Sequence, residues 1–448
     1  MTGKELVIKT LRHETCDAIP WIPFAGVHAG RLAEYGAKEV LTDPDKLIES
    51  LHAVHKLYQP DGMPVVFDLQ IEAEILGCDL LWADKAPASV VSHPSQDKTI
   101  PAIIPSGEDG RLPLVLTALT ELKPTIGQDT ALFGLICGPF TLASHLRGNE
   151  LFMDMFDDPA FVRKLMTYTS RVVKAVADIY IEAGFDVIAI VDPLVSQISP
   201  GHFNEFFANS FTEVFTHIRN KEVPSGFFVC GNATRNIEVM CKTSPDAIFV
   251  DENIDMAAAK AITDTYDITI GGNIPLTNVM LHGTQQENMK YVVELIDTVS
   301  RHNLCIAPGC DMPYDIPPEN TIAVQQAIRK TESVREMIRN YEAPADDTLV
   351  ELPDYAALKK PLIEVFTLDS ATCAACTYMM GAATKCRDSF GDKVDLVEYK
   401  FTEKESIARV RKMGVKHLPS IYINGELKFS SIIPSHKELC EAVEAYLQ

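Results

Sequence analysis

The sequence predicts an α/β protein in two parts, a (β/α)8 TIM barrel followed by a small thioredoxin-like α/β domain. Three observations carry this. Eight short apolar runs precede about residue 311, and amphipathic stretches with the helical period separate most of them. Residues 341–360 then mix proline with charge and read as a linker. After the linker a smaller strand–helix alternation begins, with a Cys-x-x-Cys at the start of its first helix. The boundaries are therefore 1–340 for the barrel, 341–360 for the linker and 361–448 for the small domain.

The elements follow in order. A leading helix within the first 18 or so residues closes the barrel bottom. The eight strands are read at residues 19–26, 64–70, 132–138, 186–192, 226–231, 247–251, 268–273 and 304–309. Runs this short and apolar, bounded by Gly or Pro, suit strands buried on both faces. Asp43 or Asp45 caps a helix over 46–57. Pro159 opens a helix that runs to about Ala183, with Gly184 as its stop. Residues 285–303 and 318–340 also carry the helical period. Residues 71–126 are long for one crossover, and the Pro-, Ser- and Asp-rich piece 87–110 reads as an excursion over the barrel mouth. In the tail, 362–368 and 394–400 are strands, 405–413 is a helix, 417–425 is a strand and turn, and 436–447 is a closing helix.

Composition narrows the function. Hydrophobic residues make up 46% of 448, enough for an ordinary core. A net charge of −22 disfavours nucleic acid and anionic membranes as partners. No run approaches the roughly 18 apolar residues of a membrane span. No apolar signal core follows Met1, and eleven cysteines without an export signal suggest reduced thiols, metal ligands or redox chemistry. The expectation is a cytoplasmic protein.

Cys230 and Cys310 each end an apolar run beside a glycine, as Gly-Phe-Phe-Val-Cys-Gly and Cys-Ile-Ala-Pro-Gly-Cys. The carboxyl ends of barrel strands face the mouth, where active sites form. The sixth run ends in Asp251 and Glu252 at the same end. Two cysteines and a carboxylate make three of the four ligands that zinc prefers. Buried cysteines also serve as small hydrophobes, and spacing alone does not separate the two roles. In the tail, a helix N-terminus would lower the pKa of Cys373 and make it the attacking sulfur, with Cys376 resolving the mixed disulfide. Thr372 stands where thioredoxins have Trp.

Residues 5–340 resemble the uroporphyrinogen decarboxylase superfamily, and more closely its cobalamin-dependent methyltransferase branch. The blocks that carry this are Ile22-Pro-Phe-Ala-Gly-Val-His28-Ala-Gly30, Phe67-Asp68-Leu-Gln-Ile-Glu72-Ala-Glu74-Ile-Leu-Gly77, Gly138-Pro-Phe-Thr-Leu-Ala-Ser-His145-Leu-Arg147-Gly148, Cys230-Gly-Asn232 and Ala307-Pro-Gly-Cys310. The resemblance implies methyl transfer between a methylcobamide and a small acceptor such as a thiol. It also implies zinc on a His-x-Cys…Cys motif, where Phe228 replaces the His and Asp251, Glu252 or His28 is left to complete the set. No corrinoid-binding Asp-x-His-x-x-Gly occurs, so a separate corrinoid protein would supply the cobamide. A decarboxylase would need arginines at the mouth, and Phe24-Ala-Gly-Val-His28-Ala-Gly has none until Arg31. A non-catalytic carrier of corrinoid or metal is the alternative.

His28, after the first strand, and Asp192, ending the fourth, are candidate catalytic residues. His145, Arg147 and Asn232 are candidates for substrate binding. A helix-surface ion pair explains Arg147 equally well.

Overall fold

The computed structural model describes residues 1–342, 350–370 and 374–447. Two compact units divide the chain: the first is Met1–Val195 with Ser199–Tyr341, and the second is Glu342–Gln448 with Ser196–Ile198.

In the first unit seven parallel strands form one sheet in chain order: β1 (Gly62–Val66), β2 (Ala131–Cys137), β3 (Val187–Val191), β4 (Ser225–Val229), β5 (Ala247–Val250), β6 (Thr269–Ile274) and β7 (Leu304–Pro308). The predicted strand at 19–26 is a correction. Only Trp21 makes a bridge, to Ile306. Pro20 and Pro23 lack the N–H groups that a ladder requires. The segment still joins the two edges of the sheet. Ile22 donates to the Ile306 carbonyl (3.0 Å), Ile306 to that of Pro20 (2.9 Å), and Asp61 to that of Trp21 (2.9 Å). Seven strands and one proline-rich segment thus complete the barrel.

Inward positions alternate along each strand and fill the interior. Phe133, Val187, Ala189, Phe228, Phe249, Cys305 and Ala307 form one buried cluster with Phe24 and Phe67. A helix, α1 (Gly3–Leu11), adds Val7 and Leu11 to that cluster, and its Thr2–Glu5 capping box fixes where it starts. Asp43 caps the helix Pro44–Tyr58 through the amides of Asp45 and Lys46. The helix Pro159–Ala183 ends at Gly184 in the left-handed conformation. The single helix expected over 318–340 breaks at Lys330 into Pro318–Arg329 and Thr331–Ile338. The excursion bonds to the helical layer: Ser95 donates to the Leu146 carbonyl (2.9 Å) and Tyr168 to that of Ile103 (2.6 Å). Among the described residues no helix is long and apolar enough to cross a membrane.

The second unit is an α/β layer with four strands, β8 (Leu362–Thr367), β9 (Asp395–Lys400), β10 (Ser420–Ile423) and β11 (Glu426–Ser430), in the order β9-β8-β10-β11. β8 and β9 are parallel, whereas β10 and β11 run antiparallel to their neighbours. The helices Ala374–Phe390 and His436–Glu444 pack with β8 and β10 around Met379, Cys386, Ile363, Ile421 and Leu439. A buried pair links β8 to the helix Lys404–Met413, Arg409 Nη2 donating to Glu364 Oε1 at 2.5 Å. The Leu418–Pro419 peptide is cis.

Candidate active site

The mouth is the rim where the strands of the first unit end. Cys230 follows β4 and Cys310 lies two residues past β7, and the two are joined as a disulfide with Cα atoms 5.8 Å apart. Both residues are partly exposed. Below them Phe228 lies in the barrel interior, its ring centroid 4.7 Å from that of Phe24, 5.7 Å from Phe67 and 5.8 Å from Phe249. Cys230 packs against the same cluster.

Two carboxylates flank the sulfurs through the backbone. Asp251 accepts from the amide of Gly231, next to Cys230 (2.8 Å), and from the amide of Asn253 (2.9 Å). Glu252 accepts from the Leu276 amide. A Cβ at Gly309, next to Cys310, would meet the Glu252 nitrogen at 2.7 Å, so only glycine lets these chains approach. Burial pushes both carboxyls upward, Glu252 to about 8, with the Asp251 charge adding to it. Asp311 accepts from the Gly26 amide (2.9 Å) and is also raised by burial. Asp311 was not among the sequence candidates; its place beside Cys310 was the available signal.

The other predicted residues scatter into supporting positions. Asp192 is fully buried and holds the start of α2 (Pro139–Arg147), accepting from the amides of Phe140 (2.9 Å) and Thr141 (3.2 Å) and from the Thr141 hydroxyl (2.7 Å). Burial still outweighs these bonds and pushes its carboxyl up to about 7. A Cβ at Gly138 would meet the Asp192 carboxylate at 2.3 Å, so that turn too requires glycine. His28 is buried with both ring nitrogens engaged. Nδ1 donates to the Tyr314 carbonyl (2.9 Å), leaving Nε2 to accept from the Tyr58 hydroxyl (2.7 Å). Burial lowers its pKa to about 4, so the ring is neutral. Asn232 accepts from the Thr234 amide and hydroxyl within its own turn.

His145 and Arg147 lie at the far end of α2 from the Asp192 cap. His145 is buried, which lowers its pKa to about 4, and its carbonyl is 2.7 Å from His93 Nδ1. Arg147 donates to Asp154 (2.6 Å) and to the Gln96 carbonyl (2.5 Å), pinning the excursion. Its guanidinium is thereby committed to an internal ion pair instead of facing a substrate. Arg111 is similarly committed to Asp68 and Glu74, and Arg31 to Asp315. In the second unit, Cys376 is buried at the start of its helix, 3.3 Å from the Leu368 amide that donates to its sulfur. Cys373 lies outside the described residues.

The two cysteines of the expected zinc set are bonded to each other in this structure. Thiolate-bound zinc needs further nitrogen, sulfur or oxygen donors. Phe228 offers none and both nitrogens of His28 are occupied, while Asp251 and Glu252 already accept from backbone amides. Among the described residues no three His, Cys, Asp or Glu side chains form a group able to hold a metal. As arranged here, with the two sulfurs bonded to each other and Phe228 in place of a nitrogen donor, these residues do not form a zinc site.

The family model for uroporphyrinogen decarboxylase (URO-D) matches residues 2–331. The chain belongs to the URO-D family. Within that family it is 27% identical over 328 residues to the methylcobamide:CoM methyltransferase MtbA of Methanosarcina acetivorans, covering 71% of this chain and 95% of that protein. It is 26% identical over 286 residues to the uroporphyrinogen decarboxylase of Nostoc punctiforme, covering 62% of this chain and 80% of that protein. Among solved structures, a methyltransferase from Methanosarcina mazei superposes with a TM-score of 0.68 at 22% identity, over 74% of this chain and 99% of that one. This last likeness supports the barrel fold of the URO-D unit.

Proposed function

We propose that this URO-D protein is a methyltransferase that moves a methyl group from a methylcobamide, carried by a separate corrinoid protein, to a small thiol at the barrel mouth. The observation that carries the reading is the match of the barrel to a methylcobamide:CoM methyltransferase over 95% of that protein's length. The acceptor thiolate attacks the methyl carbon. A carbon–sulfur bond forms, the cobalt–carbon bond breaks, and its electron pair stays on cobalt. The barrel has to align sulfur with carbon and exclude water, which Phe24, Phe67 and Phe228 support from below.

The acceptor's proton needs a base. Glu252, raised to about 8, is matched to a thiol whose ordinary pKa is about 8.5. Deprotonating both groups favours attack, so the rate is predicted to rise with pH through about 8. His28 and Asp192 then act as positioning residues, holding Tyr58 and α2. The commitment of the largely buried Arg111 and Arg147 to carboxylates argues against a polycarboxylate macrocycle as substrate.

For the second unit the reading is a thioredoxin-like dithiol domain on residues 361–448. Its β-α-β-α-β-β-α order and the place of Cys376 at a helix start support this.

The test is anaerobic incubation of the reduced full-length protein with methylcobalamin and coenzyme M or other small thiols, following loss of the cobalt–carbon absorbance. Catalytic demethylation supports the reading. Binding without demethylation would replace it with a carrier, and release of carbon dioxide from uroporphyrinogen with a decarboxylase.

A further inference from the structure

We infer that Cys230 and Cys310 form a reversible dithiol–disulfide centre at the barrel mouth, taking the place of a resident metal and exchanging with a dithiol. It deepens the methyl-transfer reading by giving that mouth a redox state, and it rests on that reading only for its effect on turnover.

Four observations converge. First, the two cysteines, 80 positions apart, are already bonded across the rim, with the Cα separation ordinary for a disulfide. Second, the nitrogen donors that would turn the pair into a metal site are absent or occupied: Phe228 is locked among aromatic rings, and both ring nitrogens of His28 are hydrogen-bonded.

Third, the pair is partly exposed whereas four other cysteines of the first unit are not. Cys78, Cys137, Cys241 and Cys305 are buried, and burial raises all four thiols, Cys78 and Cys241 to about 12. Such thiols stay protonated and poorly reactive. Cys230 and Cys310 keep partial exposure at the mouth.

Fourth, the frame around the bond is held independently of it. Asp251 pins Gly231, the Gly309 amide donates to the Ile274 carbonyl (3.0 Å), and Met312 donates to that of Phe24 (2.9 Å). Both cysteines therefore stay within reach of each other when the bond opens, which is what a reversible couple requires.

The chemistry balances with a dithiol as the other partner. One of its thiolates attacks a sulfur of the disulfide, the Cys230–Cys310 bond breaks, and a mixed disulfide forms while the other cysteine leaves as thiolate and takes up a proton. The second thiolate of the reductant displaces the remaining cysteine. Two electrons pass to the barrel pair, which becomes two thiols, and the reductant becomes a disulfide. The Cys373-Ala-Ala-Cys376 motif of this chain belongs to that class of reductant by sequence. In the oxidised state the rim is cross-linked; in the reduced state it carries two thiols beside Glu252.

The experiment is a redox titration of the full-length protein in mixtures of reduced and oxidised dithiothreitol. It is read by differential alkylation and peptide mass spectrometry, with zinc content measured after reduction, zinc loading and desalting. The expected result is a reversible two-electron interconversion of the Cys230 and Cys310 peptides, zinc far below one equivalent, and free alkylation of both cysteines in the reduced form. One zinc per chain that protects both cysteines would overturn the inference, as would peptides that never interconvert. Cys230→Ser must abolish the transition without changing the fold seen by circular dichroism. These readouts need no methylcobamide, so a failure here is separate from a failure of methyl transfer. If both hold, oxidised protein transfers methyl groups at least tenfold more slowly than reduced protein, and dithiothreitol restores the rate.

Discussion

At the residue scale, Phe228 shows most clearly how this strand serves the barrel interior. Its ring is wholly buried and touches three other phenylalanines, so it serves the interior rather than the rim. Phe228→Ala should cost about 3–5 kcal/mol, the usual range for emptying such a site. Urea denaturation followed by tryptophan emission reads this cleanly, because both tryptophans, Trp21 and Trp82, lie in the first unit. Glu252 makes the complementary prediction for chemistry. Glu252→Gln should slow methyl transfer at pH 7 by roughly 10²-fold, the lower range for loss of a general base. The deficit should shrink above the pKa of the acceptor, where the thiol ionises unaided. A deficit constant with pH would remove Glu252 from the proton path.

At the scale of elements, the account depends on caps and pairs made across long stretches of chain. Asp192 reaches back 52 positions to hold the first turn of α2. Asp192→Ala leaves buried amides without an acceptor and should cost about 1–3 kcal/mol, measured in the same denaturation experiment. In the second unit, Arg409→Ala leaves Glu364 buried without its partner. The expected cost is about 3–5 kcal/mol, visible as lost hydrogen-exchange protection in β8 and β10. These elements also explain what could be read in advance. Short apolar runs bounded by glycine mark buried strands, so β2 to β7 were legible to within two residues and β1 to within four. The segment around Trp21 was not, because apolar character reports burial and says nothing about a ladder that two prolines interrupt. The two cysteines were legible as a pair from their places at strand ends. The commitments of Arg147, His28 and Asp192 were not, since each depends on partners that spacing along the chain cannot reveal.

At the scale of the whole molecule, an acidic chain has buried several carboxyls and histidines, and their titrations act in opposite directions. Glu72, at about 8, and Asp192, at about 7, are raised above their unfolded values. The folded state therefore loses stability as pH rises from the unfolded carboxyl range up to their folded values. His28 and His145, lowered to about 4, do the reverse and add stability as pH rises from about 4 to the unfolded histidine value. Between about pH 4 and 6.5 the two effects oppose each other. Above that only the carboxyls remain, so barrel stability should fall between about pH 6.5 and 8.5. Glu72→Gln should flatten the fall, and an unchanged slope in that variant would mean that Glu72 titrates normally.

The central claim is that sulfur at this barrel mouth accepts a methyl group from cobalt. Methylcobalamin carrying a ¹³C methyl, mixed anaerobically with the reduced protein and a small thiol, tests it most directly. The account predicts one labelled thioether for each cobalt–carbon bond lost, seen by NMR and absent without protein. A folded, fully reduced protein that leaves the label on cobalt would contradict it.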